Sequence, residues 1–282
     1  MQHSYERPNN LDEALLILNQ RPRKVLAGGT DLYAALGDHN NLDDILDITA
    51  VPNLIGFKDK GDHWRIGASS TWSDLIAADL PKSFDCLKLA AREVGGIQIQ
   101  NAGTIAGNLC NASPAADGVP PLMAMNASVE LSSINGQRVM HLKDFIIGPR
   151  QTRLAENELM SAILVPKYNE KSVSSFLKLG SRKYLVISIS MVAVVIEPNK
   201  NNKINDIGIS VGSCSAVACR LSKLENKLRG CNIDQISSIK FEEEFFSALT
   251  PIDDIRSTGK YRFEASMELV NRAILKCVDN LK

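Results

Sequence analysis

The chain has 282 residues, of which 44% are hydrophobic and 23% charged, and its 32 basic and 32 acidic side chains leave a formal net charge of zero. That length and apolar content suit one large domain or two ordinary ones with a substantial core, and exclude disordered, collagenous and mucin-like classes. Balanced charge offers no general attraction for a phosphate backbone, and no nucleic-acid motif is present.

No apolar signal core follows the opening MQHSYERPNN. Asn10 precedes a helical stripe of Leu11, Ala14, Leu15 and Leu18, and Asn10 with Glu13 predicts a capping box. Pro22 closes that helix. Lys24 to Ala27 reads as a short buried strand running into Gly28-Gly29-Thr30-Asp31, and a second helix ends by Gly37 and the polar run after it. Ile45–Ile48 and Trp64–Ala68 read as strands. Thr71 and Asp74 are spaced as a helix cap and its partner, and Ser83 to Val94 is an amphipathic helix stopped by Gly95-Gly96. Gln98 to Ala116 is too rich in Gly, Asn and Ser for a regular core element.

Strands are predicted at Ala127–Leu131 and Ala162–Val165, with a turn at Gly148-Pro149. Lys167 to Ser175 is the candidate linker. Beyond it, Val186–Glu197 and Lys203–Gly212 pair as antiparallel strands around the turn-rich PNKNNK. Helices follow at Ala216–Leu228, Glu242–Leu249 and Tyr261–Val278. The order predicts an α+β chain with domains at 1–172 and 173–282, the first divided near 55–60. The most apolar stretch, Leu185 to Ile196, is too short to cross a bilayer and contains Ser188 and Ser190, so a cytoplasmic location is expected.

The six cysteines and four histidines are dispersed. No CxxC pair, HExxH, GxSxG, Walker or GxGxxG pattern occurs, so no metal or iron–sulfur framework is expected in this chain. Asp43-Asp44 and Asp253-Asp254 are read as caps or solvated turns. Two loops carry the chemistry. In LAGGTDL (26–32), adjacent glycines expose N–H groups and admit a bulky anion such as a pyrophosphate, or make only a tight turn. Asp31 would repel phosphate, so it is expected to hold the loop or cap the next segment. In the second loop, Asn101, Thr104, Asn108, Asn111, Ser113 and Asp117 stand among small residues. That set suits a polyhydroxylated cofactor, or else a long surface loop.

Five blocks, LAGGTDL (26–32), RIGASSTWSDL (65–75), REVGGIQIQNAGTIAGNLCNASPAADGVPPL (92–122), GPRQTRLAENELMSAILVP (148–166) and FLKLGSRKYLVISISMVAVV (176–195), resemble the FAD-binding medium subunits of the xanthine dehydrogenase and carbon monoxide dehydrogenase family. The resemblance covers nearly the whole chain, and the long central block is its most specific part. It implies a two-part FAD-binding domain of the vanillyl-alcohol-oxidase-like type followed by a smaller α+β C-terminal domain. It also implies that Ala27, Gly28, Gly29, Thr30 and Asp31 surround the FAD pyrophosphate. Thr104, Gly107 and Asn108 form a second grip, Asn111 lies beside it, and Asp117 binds ribityl hydroxyls. Met160 lies near the flavin or adenine, and Lys178 near the flavin unless it is a solvated edge-strand lysine. No side chain is required as a catalytic acid, base or nucleophile. The implied partners are a small [2Fe–2S] subunit and a large molybdopterin-binding subunit, in a dimer of heterotrimers, with NAD or another acceptor taking the electrons.

Three features depart from the family pattern. Ala106 replaces the first glycine of TIGGN, Gln100 replaces the arginine of QIRN, and Val94 replaces an aromatic seen in some relatives. The flavin-side loop SRKYLVIS (181–188) has no carboxylate. Two other functions remain open at this point: a self-contained flavin oxidoreductase, and a structural subunit that has lost FAD.

Overall fold

The computed structural model describes residues 4–35 and 44–282. Its first unit contains Tyr5–Glu6 (β1), Leu11–Gln20 (α1), Lys24–Leu26 (β2), Leu32–Ala35 (α2) and Ile45–Asp47 (β3). The strands form a parallel sheet in the order β1-β3-β2. The Asn10 side chain accepts from Glu13 N at 2.9 Å, and the Glu13 carboxylate accepts from Asn9 N at 3.0 Å. The expected box therefore closes one residue upstream. Gly37, the polar run after it and Asp43 lie outside the described residues.

The second unit begins with Phe57–Asp59 (β4), His63–Gly67 (β5), Trp72–Ala77 (α3) and Asp85–Glu93 (α4). Thr71 and Asp74 form the full capping box at the start of α3. Ile97–Ala102 (α5), Ile105–Asn111 (α6) and Val119–Ala124 (α7) follow. Ser128–Ser133 (β6), Gly136–His141 (β7), Leu142–Phe145 (α8), Ile146–Gly148 (β8), Gln151–Thr152 (β9) and Leu159–Pro166 (β10) complete it. An antiparallel sheet runs in the order β4-β5-β10-β6-β7.

Two helices, α5 and α6, occupy the segment expected to lack regular structure. Thr104 accounts for the second: its hydroxyl accepts from Gly107 N at 3.0 Å, while Ile105 and Leu109 are fully buried. A capping hydroxyl and two apolar anchors outweigh the weak helix propensity of Gly and Asn.

The third unit is a four-stranded antiparallel sheet, β11-β12-β13-β14, built from Val173–Leu179, Ser190–Pro198, Ile204–Gly212 and Cys219–Arg220. Ser222–Leu228 (α9) and Gly259–Leu281 (α10) follow. The helix expected from Ala216 therefore starts only at Ser222, and Glu243–Phe246 is a single 3-10 turn. The proposed linker is shorter than its polarity suggested, because Ser172, Ser174 and Ser175 are buried. Ser174 Oγ accepts from Cys86 N at 2.8 Å and donates to Lys82 O at 3.0 Å, which ties β11 to the start of α4. Ser175 Oγ donates to Ala273 O of α10 at 2.7 Å.

Strand β12 explains how the two domains join. Met191, Ala193 and Val195 belong to one hydrophobic core, while Val192, Val194 and Ile196 belong to the other. Alternate side chains of a strand point to opposite faces, so a continuous apolar run feeds both cores. On one side α10 covers β11 and β12, and α4 and α7 also pack on this sheet. At Gly208 an added Cβ would stand 2.0 Å from Ala124 O, so only glycine permits α7 to approach so closely. No helix among the described residues is long and apolar enough to cross a membrane.

Candidate functional site

The two glycine-rich segments meet. Gly28 sits against the end of α5, where a Cβ would lie 2.1 Å from Ala102 O and 2.8 Å from Gly103 Cα. Gly29 is left-handed, at φ 70°. Behind the contact lies Trp72, 2% exposed, whose N–H donates to Gly103 O at 3.2 Å. The resulting cleft of about 390 Å³ is lined by Ala27 to Asp31, Thr104, Gly107, Asn108 and Asn111, with Trp72, Val94 and Arg150.

A second cavity of about 500 Å³ continues from it, sharing Asp31, Ile99, Asn108, Asn111 and Arg150 and extending to Asp117 and Lys178. Both volumes fall within the usual range of small-molecule sites, roughly 300–1,000 Å³. Eleven of the twelve residues expected to hold a cofactor thus line one continuous cleft. Met160 is the exception. It is 2% exposed in the core of the second unit, opposite Leu131 in the sheet, and lines neither cavity.

Several donors face the cleft without protein partners. Among the described residues, the N–H groups of Gly28, Gly29 and Thr30 donate to nothing. Asn108 Oδ1 accepts from Gly118 N at 3.2 Å, and Asn111 Oδ1 accepts from Arg150 Nη1 at 2.5 Å. Each amide therefore has its acceptor engaged and its NH₂ free for a ligand. Asp31 is exposed and makes no hydrogen bond or ion pair among the described residues, so it does not cap α2 as expected.

The far end of the cleft is electrostatically closed on itself. Lys178 Nζ contacts Asp117 Oδ2 at 2.8 Å and donates to Glu93 O at 3.2 Å, while Ser188 Oγ donates to Asp117 Oδ1 at 2.9 Å. Burial pushes the Asp117 carboxyl above the ordinary carboxylate range, and Lys178 and Ser188 pull against that rise. The Lys178 side chain is only 7% exposed, so the solvated edge-strand alternative does not hold, although β11 is an edge strand.

The departures from the family pattern are accommodated. Ala106 is inside α6, 4% exposed, and its methyl joins the core. Gln100 is buried, and its Nε2 donates to Arg92 O at 3.3 Å, joining α5 to α4. The loop at 181–188 lines the second cavity through Leu185, Val186 and Ile187. Trp72 and Arg150 were not singled out from sequence as site residues, because their approach to the cleft depends on tertiary contacts. All six cysteines are free, and no group of three or more His, Cys, Asp or Glu among the described residues is placed to hold a metal.

Free N–H groups at a double glycine, two asparagine amides and a buried carboxylate in one long cleft suit the diphosphate and polyol of a dinucleotide, which FAD contains. That fold and cleft suit a protein that binds a dinucleotide cofactor. Residues 1–168 match the family described as the FAD binding domain in molybdopterin dehydrogenase, and residues 175–277 match the CO dehydrogenase flavoprotein C-terminal domain.

The glyceraldehyde dehydrogenase medium chain of Sulfolobus acidocaldarius is 31% identical over 277 residues, 96% of each chain. The nicotinate dehydrogenase FAD-subunit of Eubacterium barkeri is 33% identical over 220 residues, 75% of this chain and 72% of that one. Among solved structures, carbon monoxide dehydrogenase from Hydrogenophaga pseudoflava, in a form lacking the Mo-pyranopterin moiety, superposes with a TM-score of 0.87 at 26% identity. It covers 99% of this chain and 98% of that one. The chain belongs to the molybdenum hydroxylase family, as a medium subunit of the xanthine dehydrogenase and carbon monoxide dehydrogenase type. It is the FAD-binding flavoprotein subunit of an oxidoreductase complex, in a family whose assemblies also include [2Fe–2S] and molybdenum-cofactor subunits.

Proposed function

We propose that the chain relays electrons from the [2Fe–2S] clusters of a small partner subunit to an external acceptor, with a large molybdopterin-binding subunit oxidising the substrate. The observation that carries this reading is the long cleft with unpartnered donors in a chain that has no metal cluster or acid–base constellation among its described residues. When bound, FAD supplies chemistry in steps of one or two electrons. The protein's part is to hold and orient it and to set its electrostatics.

In this reading Gly28 to Thr30 donate to the diphosphate, and the Asn108 and Asn111 amides reach the phosphate and ribityl portions. Asp117 accepts from ribityl hydroxyls, and Lys178 stands beside the flavin. Residues 1–172 carry most of the cofactor contacts, and 173–282 close the flavin end. The substrate belongs to the large subunit and is a purine, another N-heterocycle or an aldehyde. Relatives named for nicotinate and glyceraldehyde span two of those classes. NAD is one candidate acceptor, and the absence of carboxylates from the 181–188 loop is a feature its binding must accommodate.

Affinity purification from the native source, with intact-complex mass measurement and metal analysis, tests the relay. The expected result is a dimer of heterotrimers containing iron, molybdenum and FAD. A fully active flavoprotein of one polypeptide type with neither metal would reject it.

A further inference from the structure

The hairpin between β8 and β9 turns at Pro149 and Arg150, and Arg150 is held in left-handed backbone at φ 56°. A long side chain seldom adopts that region, and such residues persist where surrounding contacts impose them. Here the Arg150 N–H donates to Ala112 O at 2.8 Å and its Nη1 donates to Asn111 Oδ1 at 2.5 Å. Ala112 is itself left-handed, at φ 48°. Two non-glycine residues are thus kept in a conformation that glycine adopts freely, and the result is a guanidinium set against Asn111.

The position is also distinctive electrostatically. Arg150 lines both parts of the cofactor cleft and a third cavity of about 710 Å³ beside them. Among the described residues lining the first part it is the one cation, and Asp31 is the one acid. Lys178, the other cation among the described residues lining the cleft, is already paired with Asp117 at 2.8 Å. Arg150 is exposed, and among the described residues no carboxylate pairs with it; its side-chain acceptor is a neutral amide. A dinucleotide diphosphate brings negative charge into a cleft whose remaining donors are neutral N–H and NH₂ groups. A planar guanidinium is well suited to bind it.

We propose that Arg150 is the residue that holds the FAD diphosphate by charge, with Asn111 fixing its side chain. This assignment rests on the FAD reading of the cleft. Its test compares titrations of FAD and riboflavin, which lacks phosphate, against the full-length apo chain and the variants Arg150→Met and Arg150→Gly.

Arg150→Met is expected to weaken FAD roughly ten- to hundredfold, the loss of one charge-assisted hydrogen-bonding group, while riboflavin affinity stays within about threefold. Added salt should weaken FAD binding by the wild type and have little effect on the variant. Arg150→Gly should lose FAD affinity to the same extent yet keep the apo thermal midpoint within about 3 °C, because glycine accepts the left-handed backbone without strain. A purely structural arginine would not separate those two readouts. Wild-type FAD affinity in both variants, or equal losses for FAD and riboflavin, would overturn the assignment. A wild-type chain that takes up neither flavin would overturn the FAD reading and the assignment with it.

Discussion

Asp117→Ala is expected to lower the stability of the chain by about 3 kcal/mol, because it removes the acid from a buried pair and leaves the Lys178 ammonium without it. The side chains of Lys178 and Asp117 are 7% and 11% exposed, so water cannot replace the lost partner cheaply. Adding Lys178→Met should recover part of that loss, since it removes the uncompensated buried charge, while Ser188 Oγ still lacks its acceptor. Urea unfolding of the two variants and the wild type measures the coupling. If Asp117→Ala and the double variant are equally destabilised, the ion pair does not matter for the fold. FAD affinity of Asp117→Ala should fall by a factor set by one charged acceptor, on the order of 1.5–3 kcal/mol, as the proposed ribityl contact is lost. It should fall by at least as much in the double variant, which also removes the lysine proposed to stand beside the flavin.

Gly28→Ala is expected to remove FAD binding and cost on the order of 1–3 kcal/mol of stability, as overpacking against fixed atoms does. The new Cβ would meet Ala102 O, Ala102 C and Gly103 Cα at 2.1, 2.8 and 2.8 Å, all of them backbone, so no side chain can rotate away. The loop must instead lift from the end of α5, which opens the cleft at the place where its free N–H groups converge. Gly96→Ala, at the N-cap of α5 in the second part of the cleft, is the milder comparison: its nearest neighbour is the flexible end of Gln98 at 3.3 Å, and it should cost no more than about 1 kcal/mol, the preference for glycine over alanine at a helix cap. Equal effects of the two substitutions on FAD uptake would contradict the role given to Gly28.

Local signals in the sequence were legible where one residue determines the outcome. Asn10, Thr71 and the Gly95-Gly96 pair mark helix ends that the fold contains, and the apolar run before Glu197 becomes the strand shared by both cores. Composition misled at 98–116, where Thr104 starts a helix that the surrounding Gly and Asn obscure. It misled again at 172–175, where three serines are buried because their hydroxyls find partners in α4, α10 and the loop before β11.

The site divides in the same way. The two glycine-rich loops were visible as motifs, but their meeting depends on the absence of a Cβ at Gly28. The Lys178–Asp117 pair joins residues 61 positions apart, and Arg150 reaches Asn111 across 39. No spacing rule connects such residues. Met160 is a position assigned by likeness alone; it lies buried in the core of the second unit, beside a register shift in β10, and lines neither part of the cleft.

The proposed function requires this cleft to hold FAD without a covalent bond, and the flavin content of the purified chain measures that. Cys110 lines the cleft, and desolvation pushes its thiol up to about 12, so it remains protonated and a poor nucleophile toward the flavin. The visible spectrum of the chain, incubated with FAD and freed of excess, should carry the bands of oxidised flavin in equimolar amount, and acid precipitation should release all the colour into the supernatant. A colourless chain after that incubation, or a yellow pellet after acid, would contradict the account.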